Sequence, residues 1–354
     1  MPPKPRPARP APPTAQTPNL RLRLSILAVV CFVALVGAGT YLLTSRHHQK
    51  ALVASAPKVS QVSVATISAS PRIVFRNTAL GSKYGFVSMV ALNDPAGPRA
   101  ITDTSCDRVY ATEKNYSCLS SQIGVVTTYS AHVLDANLQS TQTLQLTGIP
   151  SRTRLSPDGT LVATTSFISG DSYAGTSFST RTVVTRVGGA SLGSLEDFTL
   201  IHDGAAIKPV DRNYWGVTFA SDDNTFYATV QWSGKTWLVR GNLASRTVTT
   251  LHQDAECPSL SPDGTKLVFK QRGNLSTGKW RLVSYDIATG VVTPLAETRS
   301  VDDQAEWLDN THVLYGLPRT GGQAAIDDVW SVNADGTGTP KLLIPQAWSP
   351  AVIR

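Results

Sequence analysis

The chain has 354 residues, four cysteines and a formal net charge of +7. The charge is unevenly spread: no Asp or Glu precedes Asp94, while eleven Lys and Arg do, leaving 21 bases against all 25 acids in the remainder. A folded part that is near neutral or slightly acidic lacks the basic face that nucleic-acid binding needs.

Residues 1–24 are rich in Pro and bases, with no large apolar side chain between Met1 and Leu20. Such a segment buries too little surface to offset its ordering entropy and reads as a disordered tail. Its Pro2–Pro5 and Pro7–Pro10 spacings match a PxxP ligand, a pattern common in Pro-rich tails. Ser25 to Thr44 then runs twenty residues without a charge. At about 1.5 Å per residue it spans roughly 30 Å, the thickness of a hydrocarbon core. Five bases precede this run, and Arg46 and Lys50 follow it. This length predicts a transmembrane helix over 25–44, and the positive-inside rule puts the tail in the cytoplasm and the rest outside the cytoplasmic membrane. A cleaved signal peptide is the competing reading. Its small-x-small site would be Ala54-Ser55-Ala56, well past the apolar run, with Pro57 unfavourable after the cut. Residues 45–70 read as a stalk. The His47-His48 pair in it reads as a solvated flank, since adjacent side chains do not readily converge on one ion.

From residue 71 to 354 the chain is a succession of short apolar strands and polar turns, with no helical period of useful length. Ser261-Pro262-Asp263-Gly264-Thr265 sits between apolar runs and recurs as Ser156-Pro157-Asp158-Gly159-Thr160. Pro fixes φ, Asp tolerates the next position and Gly accepts positive φ, so the stretch is a hairpin corner. Aligned on it, Ser156, Ala220, Ser261, Leu308 and Ser349 follow at steps of 64, 41, 47 and 41 residues. About forty residues per four-stranded unit is propeller spacing. A Gly/Ser-rich insertion, residues 168–180, and the loop 203–211 absorb the long first step. The third unit is expected to end near Asp197–Ile201.

The first unit lacks an inner strand. Arg72-Ile73-Val74-Phe75 matches the strand that follows the corner elsewhere, while Gln346–Ile353 runs on past a complete last unit. Pairing the two closes the ring and leaves no free sheet edge at the seam. Trp348-Ser349-Pro350 reads as the start of a further corner. The expectation is an all-β, six-bladed β-propeller over 71–354. A seven-bladed ring, with residues 60–67 as an extra strand, is the alternative.

The corner Ser261–Phe269 resembles the repeat of TolB-like propellers. Ser177–Thr182, Leu195–Thr199, Tyr214–Ala220, Glu256–Gly264 and Thr298–Asp309 resemble a group of membrane-anchored bacterial "TolB-like translocation" proteins. The resemblance covers about residues 71–354 and implies a propeller in the cell envelope. The periplasmic TolB behind the name also has an N-terminal α/β domain that nothing here matches.

Cys31 lies in the anchor. Cys106 and Cys118 sit across a hairpin with Asn115 near its bend, and a disulfide is permitted outside the membrane. The expected pair is Cys106–Cys118, with Cys257 a buried free thiol on an inner strand. Pairing of Cys257 with one of the other two stays open. Three ectodomain cysteines cannot make a four-thiolate zinc site, and no His lies at ligand spacing.

Gly189-Ala190-Ser191-Leu192-Gly193 matches GxSxG, but not in the strand–turn–helix setting that gives the motif meaning. Asp302-Asp303-Gln304-Ala305-Glu306 and Ser221-Asp222-Asp223-Asn224 are acidic enough to consider Ca²⁺. The plainer reading is solvated turns, the second a degenerate corner. All seven Trp follow residue 210. Trp307 and Trp348 read as blade packing in like places before a corner. Trp232 and Trp237 straddle a Ser-Gly turn and read as an exposed partner or sugar surface. The candidate interaction residues are Asp302, Asp303, Glu306, Trp232 and Trp237; no catalytic, cofactor or metal residue is expected.

The chain therefore reads as a membrane-anchored, monomeric propeller that binds an envelope protein without catalysis, through the edge carrying residues 170–180 and 302–306. An extracytoplasmic sensory or regulatory domain is the alternative. A hydrolase or lyase working in the propeller channel is the third reading.

Overall fold

The computed structural model describes residues 20–55, 59–168 and 179–354. These fall into two units, one ending at Ala56 and one beginning at Pro57. In the first, a single helix runs Leu20–Ser55. Its stretch Arg21–His47 is long and apolar enough to cross a membrane. The helix continues beyond that stretch through Ala, Leu, Gln and Lys, all good helix formers, so the first part of segment 45–70 is helical.

The second unit is a ring of six blades among the described residues. Blade two is Arg108–Ala111, Tyr116–Gln122, Thr128–Leu134 and Ser140–Leu146. Blade three is Ile149–Leu155, Leu161–Ile168, Ser179–Arg186 and Ser191–Ser194. Blade four is built on Asn213–Phe219, Thr225–Trp232, Lys235–Asn242 and Thr247–Gln253. Blade five is Glu256–Leu260, Lys266–Gln271, Arg281–Asp286 and Val292–Pro294. Blade six is Glu306–Trp307, His312–Pro318, Asp327–Asn333 and Lys341–Ile344. In each, the first-named strand is innermost and the next three pair antiparallel outward.

Blade one closes the ring. Arg72–Asn77, Phe86–Ala91 and Arg99–Ser105 take Ala347–Ile353 as their inner strand, with Arg72 opposite Ile353 and Asn77 opposite Ala347. The seam therefore forms as the sequence implies. Residues 60–67 do not make a seventh blade. Gln61 and Val62 pair parallel with Arg99 and Ala100 at the outer edge of blade one, and Val64–Ser68 turns into a short helix.

Two expectations are corrected. Thr199–His202 does not end the third blade. With Ala205–Ile207 it forms a hairpin laid parallel along the outer strand of blade four, making that sheet six-stranded. And Ser349-Pro350 is not a corner. The inner strands of blades one, four and five each carry a β-bulge opened by a residue at positive φ: Ser349 (55°), Gly216 (66°) and Cys257 (53°). Ser349-Pro350 thus occupies the place of Cys257-Pro258 inside the strand. Trp348 stands where blade five has Glu256, and not in the place of Trp307.

The true corners are locked by side chains. Ser261 Oγ donates to Asp263 Oδ1 at 2.6 Å and accepts the Lys266 N–H at 2.9 Å, while Asp263 Oδ1 also accepts the Thr265 N–H. Ser156, Asp158, Thr160 and Leu161 repeat this network. The Gly264 and Gly159 that follow have φ of 72° and 78°, a conformation an L side chain adopts only with strain. The hydrogen bond from Ser261 leads the causes that hold the Asp263 carboxyl below its ordinary range. These aspartates serve backbone geometry.

Cys106 and Cys118 form a disulfide at the inner side of blade two, and Cys257 is a buried free thiol. The core lies between blades. One cluster joins Val74, Val87 and Ile353 of blade one to Val109 and Tyr116 of blade two. Another joins Leu161 and Val184 of blade three to Tyr214 and Phe226 of blade four.

Candidate functional site

The inner strands start on one face of the ring, here the front, and end at the corners on the other. Between the faces the channel is filled with paired charges. Arg154 of blade three reaches Glu306 of blade six at 2.7 Å. Arg108 of blade two reaches Asp303, just ahead of blade six, at 3.1 Å. Asp303 also accepts the N–H groups of Gln304 and Gly316, and Arg154 also donates to Ser259 Oγ and the Ala305 carbonyl. Each guanidinium lies over a ring, Arg108 on Trp348 at 4.2 Å and Arg154 on Tyr110 at 4.5 Å. Gln304 Nε2 donates to the carbonyls of Val217 and Pro258 and ties three blades together. Burial lowers Arg108 to about 10, which leaves it charged at neutral pH. Burial pushes the Glu306 carboxyl up, and the nearby Arg154 charge opposes that.

Asp303 and Glu306 therefore do not sit in a solvated turn. They are 1% and 5% exposed, because Arg108 and Arg154 supply the partners that make burial affordable. Asp302, one residue earlier, stays at the surface and takes a different partner, the Lys270 ammonium at 2.6 Å. Trp232 and Trp237 lie on neighbouring strands of blade four, stacked at 5.3 Å and 12°. His202, from the added hairpin, stands edge-on to both. Both indoles are partly buried. Ser191 begins the outer strand of blade three and binds the Gly193 N–H. Most of the edge expected over residues 170–180 falls at 169–178 and lies outside the described residues. Among those described, no three His, Cys, Asp or Glu side chains come together to hold a metal.

The front mouth opens into a cavity of about 650 Å³. Its charged lining is Arg152, Glu256, Lys270 and Asp302, and its rings are Phe167, Trp215 and Trp280. Lys270 is 3% exposed and sits 3.7 Å from Glu256 as well as on Asp302. Trp280 Nε1 donates to Glu256 Oε1 at 2.8 Å. Cys257 is in the same wall, its strained backbone pressed on Gly216: a Cβ there would lie 2.6 Å from Cys257 Cα. A second front cavity, of about 430 Å³, adjoins it at Asp302 and is lined by Arg76, Tyr84, Asp327 and Trp348. Burial, with Asp303 nearby, pushes Asp327 up to about 6. The corner mouth holds a third, of about 410 Å³, between the corners, Arg154 and Arg354. Trp232 and Trp237 line none of these, although their neighbours Gln231 and Thr236 line the front cavity.

Sequence reasoning missed Arg152, Glu256 and Lys270. A signal existed: the corner hairpin that fixes the register of blade five places Glu256 directly opposite Lys270.

No protein-family model and no curated protein matches the chain. Solved propellers do. TolB from Acinetobacter baumannii is 16% identical over 80% of this chain and 66% of its own, with a TM-score of 0.55. A chain from a nidogen/laminin complex is 11% identical over 80% of this chain and 98% of its own, with a TM-score of 0.53. A Mycobacterium tuberculosis puromycin-hydrolysing peptidase aligns at 13% identity over 82% of this chain and 55% of its own, with a TM-score of only 0.42. At these identities the likeness speaks to fold alone: the chain is a TolB-like six-bladed propeller in architecture.

Proposed function

We propose that this propeller is held at the outer side of the cytoplasmic membrane by a single N-in helix and serves there as a non-catalytic scaffold for another envelope protein. One observation carries the reading. The front face presents bare apolar loop tips on a rigid ring: Ile123 is 90% exposed, and Val125, Val126 and Val210 are at least three-quarters exposed. Ile123, Val125 and Val126 crowd one loop tip of blade two, and exposed apolar side chains gathered in this way mark contact surfaces. The apolar helix and the five bases ahead of it support the anchor and its orientation. A channel whose arginines and carboxylates are spent on one another supports a binding role over catalysis. A hydrolase or lyase working in the channel is the second reading, and the carboxylates and lysine at the front mouth, Glu256, Asp302, Asp327 and Lys270, are where its acid and base would lie.

The test is site-specific photocrosslinking in cells. A probe at Val125 on the front is expected to trap one dominant envelope protein, and a probe at Pro262 on the corner face is not. Equal labelling from both positions, or adducts from neither, overturns the proposal. A periplasmic reporter fused after Arg354 is expected to be active; activity only in the cytoplasm would reverse the orientation.

A further inference from the structure

We infer that the front-mouth cavity is a binding site for a neutral oligosaccharide. This goes beyond the scaffold reading, because such a site works with or without a protein partner. The volume of about 650 Å³ falls within the roughly 300–1,000 Å³ of small-ligand clefts. Three blades each contribute one ring to its wall: Phe167 from blade three, Trp215 from blade four and Trp280 from blade five. Trp280 is held in place by its hydrogen bond to Glu256, and the Lys270 ammonium lies 4.3 Å from its centroid. One side of a pyranose ring is a patch of polarised C–H bonds. Such a patch packs on the negative face of an indole.

The charges select an uncharged ligand. Arg152 and Lys270 are balanced by Glu256 and Asp302 in the same wall. A cation entering the cavity meets the first pair and an anion meets the second. A polyol meets neither penalty: each hydroxyl both donates and accepts, so vicinal hydroxyls accept from the cations while donating to the carboxylates. Asp302 is the exposed member, open to such a contact, while its Lys270 partner is fixed behind it. Arg152 brings a guanidinium to the same wall, with its Nη1 donating to the Ser151 carbonyl at 3.0 Å. Gln231 and Thr236 bring an amide and a hydroxyl to the rim.

The test uses the purified full-length chain in detergent. The probes are neutral di- and trisaccharides of glucose, galactose, mannose, arabinose and N-acetylglucosamine, with oligogalacturonate and oligoglucosamine as charged controls. Binding is read by tryptophan emission and by saturation transfer from protein to sugar protons. At least one neutral probe is expected to bind with Kd below about 10 mM, more tightly than either control. Trp280→Ala is expected to weaken it at least tenfold. Trp232→Phe, outside the cavity, is expected to leave it unchanged. Arg152→Lys keeps the charge but not the planar guanidinium, and is expected to weaken binding at an unchanged melting temperature; it also serves if Trp280→Ala does not fold. The inference fails if no neutral probe binds, if the charged controls bind as well, or if the effect follows Trp232 in place of Trp280 and Arg152. Loss of the Val125 crosslink with sugar binding intact would sink the scaffold reading alone.

Discussion

Arg154 and Glu306 meet at 2.7 Å across the full width of the channel, from blades that face each other in the six-membered ring. Removing one partner strands the other charge in a buried site. Glu306→Gln is expected to lower stability by about 3–5 kcal/mol. The double change Arg154→Met with Glu306→Leu is expected to cost much less, since it strands no charge. Urea unfolding of the parent, Glu306→Gln and the double variant measures this; a Glu306→Gln chain as stable as the parent would show that the pair contributes nothing net.

Glu196 gives a pH dependence. Burial raises its carboxyl to about 7, against hydrogen bonds from Ser194 and the Thr182 N–H. The folded chain therefore keeps this proton to higher pH than the unfolded chain, whose carboxyl titrates near its ordinary 4.5. The stabilisation is fully present below the lower value and is lost as pH rises through the upper one. Allowing for partial solvent access, the loss is on the order of 2 kcal/mol. Glu196→Gln is expected to flatten the stability profile in that window, measured by urea unfolding at stepped pH.

Gly216→Ala tests the contact at the bulges. The added Cβ falls 2.6 Å from the Cys257 Cα, and φ there is 66°. Neither backbone has room to yield, so a loss of about 2 kcal/mol or more is expected. Gly234→Ala is the comparison: φ is 71° but nothing lies within 4 Å, so only the backbone strain remains. Thermal unfolding of the two variants should separate them.

The disulfide closes a loop whose ends are 12 residues apart. In the chain-entropy model this contributes about 3 kcal/mol. The double variant Cys106→Ala, Cys118→Ala is expected to lose that much. Thiol titration of the denatured parent should find two free groups, Cys31 and Cys257, and four after reduction.

Closure at the seam is testable by permutation. Deleting 347–354 removes the inner strand of blade one, with buried Ala351 and Ile353. The shortened chain is expected to lose cooperative unfolding. Moving the same residues ahead of Arg72 by a short turn is expected to restore it, because Ile353 and Arg72 are paired neighbours. Circular dichroism during thermal unfolding distinguishes the three chains.

Much of the ring was legible because local chemistry wrote it. The Ser-Pro-Asp-Gly corners specify turns by φ preference and a Ser–Asp hydrogen bond, and the surplus strand at one end matched a gap at the other. What escaped reading depends on partners far along the chain. Asp303 and Glu306 look solvated beside Asp302, and only Arg108 and Arg154, two and three blades away around the ring, draw them inside. Ser349-Pro350 looks like a corner because the dipeptide is the same. The bulge that holds it is a feature of register, which a single strand does not display. The hairpin at Thr199–Ile207 pairs parallel with a strand made later, and no turn signal marks such a pairing.

The seam also sets an order of events. Arg72–Asn77 is synthesised early, and its inner neighbour, Ala347–Ile353, only after nearly the whole propeller has followed. Until then blade one keeps an open edge. Contacts so distant in sequence form slowly, and an unpaired edge is a template for another chain. Ring closure is thus the step at which a crowded compartment can divert the protein, through capture of one chain's Arg72–Asn77 strand by the Ala347–Ile353 strand of another.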